Sequence, residues 1–185
     1  MEVSIFWFRR DLRIEDNIAL YHSLKSEYAV LPIFIFDDDI INELHKDDPR
    51  INFIYQELEK NNVHLNSKSS SIRIFKSSYK DAWKSLVDEF DIKEVYFNED
   101  YEPYAKQRDQ WVSSFLELLA IKVHSFKDHV VFEPGYIKKD DGLPYTVYTP
   151  FKKRWLKHFE SNKPEIFPQP NFENLFKIRF DYPRI

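Results

Sequence analysis

Six charged side chains, Arg9, Arg10, Asp11, Arg13, Glu15 and Asp16, follow directly on the apolar run Val3–Phe8 in "VSIFWFRRDLRIEDNIAL". In a nucleotide-binding α/β protein, the turn between the first strand and the first helix holds the glycines that cradle phosphate. Here that turn is charged, and the whole chain of 185 residues holds only two glycines, Gly135 and Gly142. Neither a G-x-G-x-x-G fingerprint nor a P-loop can be assembled from them. Two more polar clusters follow, Asp37-Asp38-Asp39 after the second apolar run and "NEDYE" at Asn98–Glu102. Carboxylates, arginines and aromatic rings together suit a flat polar heterocycle better than a triphosphate. The "NEDYE" carboxylates lack a partner pattern for general acid–base work. The histidines, His124 and His129 included, lack metal-ligand spacing, and there is no G-x-S-x-G elbow. The sequence thus offers no catalytic residue and no metal site. The charges of the first turn admit two readings, an ion-pair network that braces it or direct contacts to a ligand.

Composition narrows the class. Net charge is −4, so no overall basic field argues for nucleic acid. With no cysteine there is no disulfide framework, no Cys-ligated zinc and no thiol catalysis, in keeping with a reducing cytoplasm. Aromatic residues make up 17% of the chain, first as core and second as material for stacking. The apolar start is cut by Arg9-Arg10-Asp11, too early for a signal peptide core, and no run approaches the roughly 20 apolar residues of a membrane span. A soluble, cytoplasmic chain with no membrane partner is expected.

Positioning these clusters requires a scaffold, and the hydrophobic pattern supplies one. Val3–Phe8 reads as a buried strand, with Asp16 capping a helix that carries Ile18, Leu20, Tyr21 and Leu24. Ala29–Phe36 is a second strand. Asp48-Pro49 marks a helix start, and Ile51, Ile54, Tyr55 and Leu58 share one face of that helix. Ser71–Phe75 is the third strand, and Ser78 with Asp81 forms a capping box before Trp83, Leu86, Val87 and Phe90. Lys93–Asn98 is the fourth strand, a helix opens at Pro103, and Ile121–Phe126 is the fifth strand. Strands alternating with amphipathic helices build right-handed β-α-β units. The expected fold is α/β: a doubly wound, Rossmann-like, five-stranded parallel sheet of order 3-2-1-4-5 with helices on both faces. Residues 1–130 would form this domain. Residues 131–160, with a hairpin signal at Asp141-Gly142 and a basic helix Pro150–Phe159, would complete it. Residues 161–185, with Pro164, Pro168, Pro170 and Pro183, read as a linker.

In an open parallel sheet, ligands bind outside the carboxyl ends of the strands where strand order reverses. For this order that point lies between strands one and four. The loops Arg9–Asp16, Asp37–Asp39 and Asn98–Glu102 converge there, beside the helix starts at Pro49 and Pro103, and Arg50 adds charge to the first of these.

The segments "FWFRRDLRIEDNIAL", "LPIFIFD", "DDPRINFIYQEL", "FNEDYEPYAKQRD", "SFKDHVVFEPG" and "DDGLPYTVYTPFKKRW" together resemble the DNA photolyase/cryptochrome family, in order and spacing, from Val3 to Trp155. The last segment is most similar to photolyases that repair cyclobutane pyrimidine dimers. The resemblance implies an N-terminal α/β domain that holds an antenna chromophore and passes excitation energy to a catalytic FAD. That FAD lies in a C-terminal helical domain, absent from these residues, which also takes the flipped-out dimer. It implies as partners the chain's own helical domain and, for the full-length deoxyribodipyrimidine photo-lyase only, UV-damaged DNA; the fragment alone would be inactive. The antenna site it implies comprises Phe36, Asp37, Arg50, Asp100, Tyr101 and Glu102. Phe36 and Tyr101 would flank the ring, Arg50 would face a ring carbonyl or phosphate, and the carboxylates would accept from ring or ribitol donors, with Arg9 and Asp11 bracing. Members that use methenyl folate carry an Asn-Glu pair where this chain has Tyr104 and Ala105, although His45 falls at a folate-contacting position. Deazaflavin or FMN is therefore favoured over methenyl folate. The alternative is a cryptochrome-type blue-light signalling module without repair activity.

Overall fold

The computed structural model describes residues 1–168 and 170–182. Five strands, β1 (Glu2–Phe8), β2 (Ala29–Asp37), β3 (Arg73–Ser77), β4 (Asp91–Asn98) and β5 (Lys122–Phe126), pair in parallel in the order β3-β2-β1-β4-β5. Helices α1 (Ile18–Ser23) and α3 (Pro49–Asn66) cover one face, α4 (Tyr79–Glu89) and α5 (Pro103–Leu118) the other. This is the doubly wound α/β fold expected from the pattern. Along β1, Val3, Ile5 and Trp7 enter the α4/α5 core, while Phe6 and Phe8 enter the α1/α3 core. A strand covered on both faces has no solvent side, so it reads as an unbroken apolar run. Trp83 of α4 is fully buried edge-on to Trp7, with ring centroids 5.4 Å apart.

Local chemistry sets most helix starts where expected. The Asp48 side chain accepts from the Arg50 amide at 2.9 Å, with Pro49 in the first turn of α3, and Ser78 Oγ accepts from the Asp81 amide at 3.1 Å. The start of α1 differs. Its cap is Asn17, which accepts from the Leu20 amide at 3.0 Å, and not Asp16. Asp16 lies outside the helix at φ 47°, a left-handed conformation that a short polar residue tolerates, and its carboxylate accepts from the Phe167 amide at 2.8 Å. The acidic run that begins at Asp37 enters a one-turn helix, α2 (Asp38–Ile41).

Two expectations for the second half change. Around Asp141-Gly142 the chain makes a reverse turn, Gly142 N donating to Lys139 O at 2.9 Å with Gly142 at φ 80°. No strand flanks that turn among the described residues, and Pro144, lacking an N–H, cannot extend a ladder beyond it. The basic helix is present as α6 (Tyr148–Ser161). It buries none of its residues fully and rests on the body through Trp155 and His158 against Phe132. The proline-marked segment after α6, read as a linker, returns to the sheet. Leu175 makes a bridge to Val30, the Phe176 amide donates to Val30 O at 2.8 Å, and Asn174 Nδ2 donates to the carbonyls of Leu24, Ser26 and Tyr28. Prolines fix an extended backbone whether or not it packs. The apolar residues between them, Phe172, Leu175 and Phe176, supply the burial. Pro183, also part of the linker reading, lies outside the described residues. No helix among the described residues is long and apolar enough to cross a membrane.

Candidate functional site

The loop after β1 is latched to itself and to β4. Asp11, buried, accepts from the Arg9 amide at 2.9 Å, from Asn17 Nδ2 at 3.2 Å and from Nδ2 of the fully buried Asn98. Asn98 also reaches Asp128 at 3.0 Å, and Arg13 pairs with Asp128 at 2.7 Å. These groups fill the crevice between β1 and β4, the point of strand-order reversal. The open space lies instead over the carboxyl ends of β1 and β2.

There a cavity of about 330 Å³ is walled by Trp7 and Phe8 of β1 and by Phe34, Phe36 and Asp37 of β2. Ile40, Ile41 and Leu44, together with Ile51 and Ile54 of α3, form an aliphatic cover. Tyr79 and Arg108 close the α4/α5 side, Arg9 adds to the inner wall, and Arg10, Arg50 and Glu102 stand at the rim. Of the site residues named from the sequence, Phe36, Asp37, Arg50 and Glu102 line this cavity. Asp100 and Tyr101 do not. Asp100 is buried, accepts from the Glu102 amide at 3.1 Å and lies 3.7 Å from Arg10, so it positions two rim residues. Tyr101 is turned outward, edge-on to His129. His45 is exposed in the loop between α2 and α3 and stands apart from the wall.

Each polar wall residue has a traceable environment. The Tyr104 hydroxyl donates to Asp37 Oδ2 at 2.6 Å, and burial pushes the Asp37 carboxyl up, against the pull of that bond and of the Asp39 amide. Tyr104 itself is held far above the ordinary phenol range by burial and by Asp37. At the rim, Arg50 forks onto its own helix cap, Nε to Asp48 Oδ1 at 2.9 Å and Nη2 to Asp48 Oδ2 at 2.7 Å. These bonds hold the Asp48 carboxyl down at about 2. A carboxyl depressed in the folded chain contributes stability above its unfolded value, near about 4, and loses it as pH falls through the folded one. The Asp48 Cγ resonance is therefore expected to titrate with a midpoint near about 2 and to move toward about 4 in Arg50→Ala. A midpoint near 4 in the native chain would dissolve the clasp.

Sequence reasoning missed Trp7, Tyr79, Arg108 and the aliphatic cover. One signal was available. Ala105, Arg108, Val112 and Leu116 form the buried stripe of α5, so an arginine occupies a core position of an amphipathic helix.

Comparison with known proteins then decides the family, since the DNA photolyase model matches residues 4–171. The chain belongs to the DNA photolyase family. It is 32% identical over 184 residues to the deoxyribodipyrimidine photo-lyase of Buchnera aphidicola, covering 95% of this chain and 38% of that one. An uncharacterized 31.6 kDa protein of Synechococcus is 29% identical over 168 residues, covering 91% of this chain and 57% of that protein. Among solved structures, the photolyase of Sulfolobus tokodaii, solved with two FAD molecules, superposes with TM-score 0.74 at 25% identity, over 97% of this chain and 39% of that one. This photolyase-family chain thus spans well under two thirds of the length of these relatives. Its residues correspond to their α/β part.

Proposed function

We propose that this chain binds a light-harvesting chromophore, a deazaflavin or FMN, as the N-terminal antenna unit of a deoxyribodipyrimidine photolyase. The observation that carries the reading is the cavity itself. At about 330 Å³ it stands at the low end of small-molecule sites, a size for one planar ring system, with apolar faces and hydrogen-bonding groups at its edges. Support comes from the S. tokodaii relative, whose two FAD molecules were taken to imply a novel light-harvesting cofactor. When bound, the chromophore supplies light absorption and the transfer of excitation energy. The chain's own residues bind and orient it. Phe36 flanks the ring, Asp37 accepts from a ring donor, and Arg50 faces a carbonyl or phosphate at the rim. Tyr104, standing where folate-using members carry Asn, spends its hydroxyl on Asp37, which argues against methenyl folate. In such a protein, the catalytic FAD and the damaged DNA belong to the helical domain, and the bond-breaking chemistry falls to it.

Incubating the purified chain with FMN or 8-hydroxy-5-deazariboflavin tests this. Stoichiometric uptake with a shifted visible band is expected. Ile41→Trp, which fills the space under the aliphatic cover, should abolish uptake, and Arg50→Ala should weaken it about tenfold, or about 1.4 kcal/mol. Retention of either chromophore by Ile41→Trp at native affinity would place binding elsewhere, and no uptake by the native chain would remove the reading.

A further inference from the structure

Electron-rich aromatic side chains ring the cavity, and their surroundings decide which of them can give an electron to a molecule excited by light. Trp7, on the wall, is a poor donor. The guanidinium carbons of Arg9 and Arg108 lie over its ring at 5.2 Å and 5.0 Å. Asp109, which pairs with Arg9 at 2.7 Å, tempers those charges, and Asp100 and Asp37 add to this. Removing an electron from that ring still creates positive charge beside two cations. Trp83 is fully buried edge-on to Trp7, with its Nε1 shielded from solvent and unpartnered among the described residues. An oxidised indole there has nowhere to release its proton. Tyr79, also on the wall, is held above the ordinary phenol range by burial and by the charges of Asp37 and Asp39, yet it bonds to neither. Tyr104 differs. Its hydroxyl donates to Asp37 Oδ2 at 2.6 Å, the length of a charge-assisted bond, with Asp39 Oδ2 as a second carboxylate at 3.5 Å. Its ring stands edge-on to Tyr79 with centroids 6.5 Å apart, and Asp37 is itself a wall residue, so the pair lies directly behind the cavity lining. Burial makes the Asp37 carboxylate readier to take a proton than a solvated one. A phenol whose proton has a base in place gives up an electron without first building a positive charge.

We propose that Tyr104 and Asp37 form a proton-coupled electron-donor pair that discharges a light-excited ring system held in the cavity. In this step the excited ring takes one electron from Tyr104, the phenolic O–H bond breaks, and the proton passes to Asp37 Oδ2. Tyr104 is oxidised to a neutral tyrosyl radical and the occupant is reduced by one electron, so the pair loses the negative charge that the occupant gains. Return of the electron and of the proton restores both. Excitation that is not handed on is thereby dissipated without lasting chemistry. The oxidant in this step rests on the antenna reading above, whereas the donor pair belongs to the chain and is tested without it.

The test has two parts. In the first, the full chain without chromophore is oxidised by flash-generated ruthenium(III) tris-bipyridine, and tyrosyl radicals are read by electron paramagnetic resonance. Part of the signal should vanish in Tyr104→Phe. In Asp37→Asn that part should form about tenfold more slowly, because an amide is a poor proton acceptor. In the second, the chain is loaded with FMN and the emission lifetime is followed. Tyr104→Phe should lengthen it about tenfold. Heavy water should lengthen it in the native chain and leave the phenylalanine variant unchanged. That comparison needs no substitution at Asp37 and serves if Asp37→Asn does not fold. Equal lifetimes in the native chain and Tyr104→Phe, or a lifetime lengthened by Trp7→Phe instead, would overturn the donor pair and leave the antenna reading standing. A Tyr104 radical in a chain that takes up neither FMN nor the deazaflavin would keep the donor pair and remove the antenna reading.

Discussion

Replacing Asp11 by alanine is expected to destabilise the domain by about 3–4 kcal/mol, a large share of the total stability of a domain this size. The cause is local and countable. The Asp11 carboxylate accepts from the Arg9 amide, Asn17 Nδ2 and Asn98 Nδ2, all inside the β1–β4 crevice. Alanine leaves the Arg9 amide without its carboxylate partner and removes one charge-assisted bond each from Asn17, which keeps Arg13 O, and Asn98, which keeps Asp128. Bonds to a charged acceptor contribute about 1.5–3 kcal/mol, and an orphaned buried donor costs about 1–3 kcal/mol. Asp11→Asn should cost about half as much, because one oxygen still accepts while its amide nitrogen turns a donor toward donors. Uptake of chromophore should fall in step, since Arg9 and Arg10 of the cavity wall hang from the same loop. Urea unfolding followed by circular dichroism reads the first effect. A loss below about 1 kcal/mol for the alanine variant would mean that the latch contributes little beyond what solvent provides.

The second large effect lies at the other end of the sequence. Leu175→Ala and Phe176→Ala should each cost about 3 kcal/mol, the range for truncating a buried large side chain. The two neighbours enter opposite cores: Leu175 joins the α1/α3 side and Phe176 the α4/α5 side. They enter different cores but dock one short segment on the same residue, Val30, so their losses should couple and the double variant should lose less than the sum of the two singles. A residue in a true linker would show losses within about 0.5 kcal/mol at both positions. Such small losses would restore the linker reading. Asn174 adds a polar clamp to the same segment through its three carbonyl partners.

These positions also show which physical signals a sequence carries. Strand and helix placement followed from hydrophobic period, because a parallel sheet buried on both faces and helices buried on one leave different periods, while the strand order came from the doubly wound class that their alternation implies. The caps at Asp48 and Ser78 were readable because the interaction is local, confined to one turn. Asp16 and Asn17 show the limit. Both are capping residues, and only the distant Phe167 amide, which claims Asp16, decides between them. The tail failed for a similar reason, since an extended proline-rich segment has no period and its burial depends on surfaces more than a hundred residues away. In the candidate site, the strand-end residues Phe36 and Asp37 could be named because strand ends converge by topology. The choice between Asp100 and Arg108 could not be made, because it turns on which side chain of a loop or helix points inward.

The return of the tail to the first β-α unit has a consequence for how the chain is made. Asn174 reaches carbonyls between 146 and 150 positions earlier in the chain. Contacts of such long separation close last and slowly, after the loop entropy of everything between has been lost. On the ribosome, β1 and β2 emerge early, yet Val30 waits for Leu175 and Phe176 until nearly the whole domain has been synthesised. Through that interval the lower edge of the nascent sheet is bare, and it is the stretch a chaperone would have to shield.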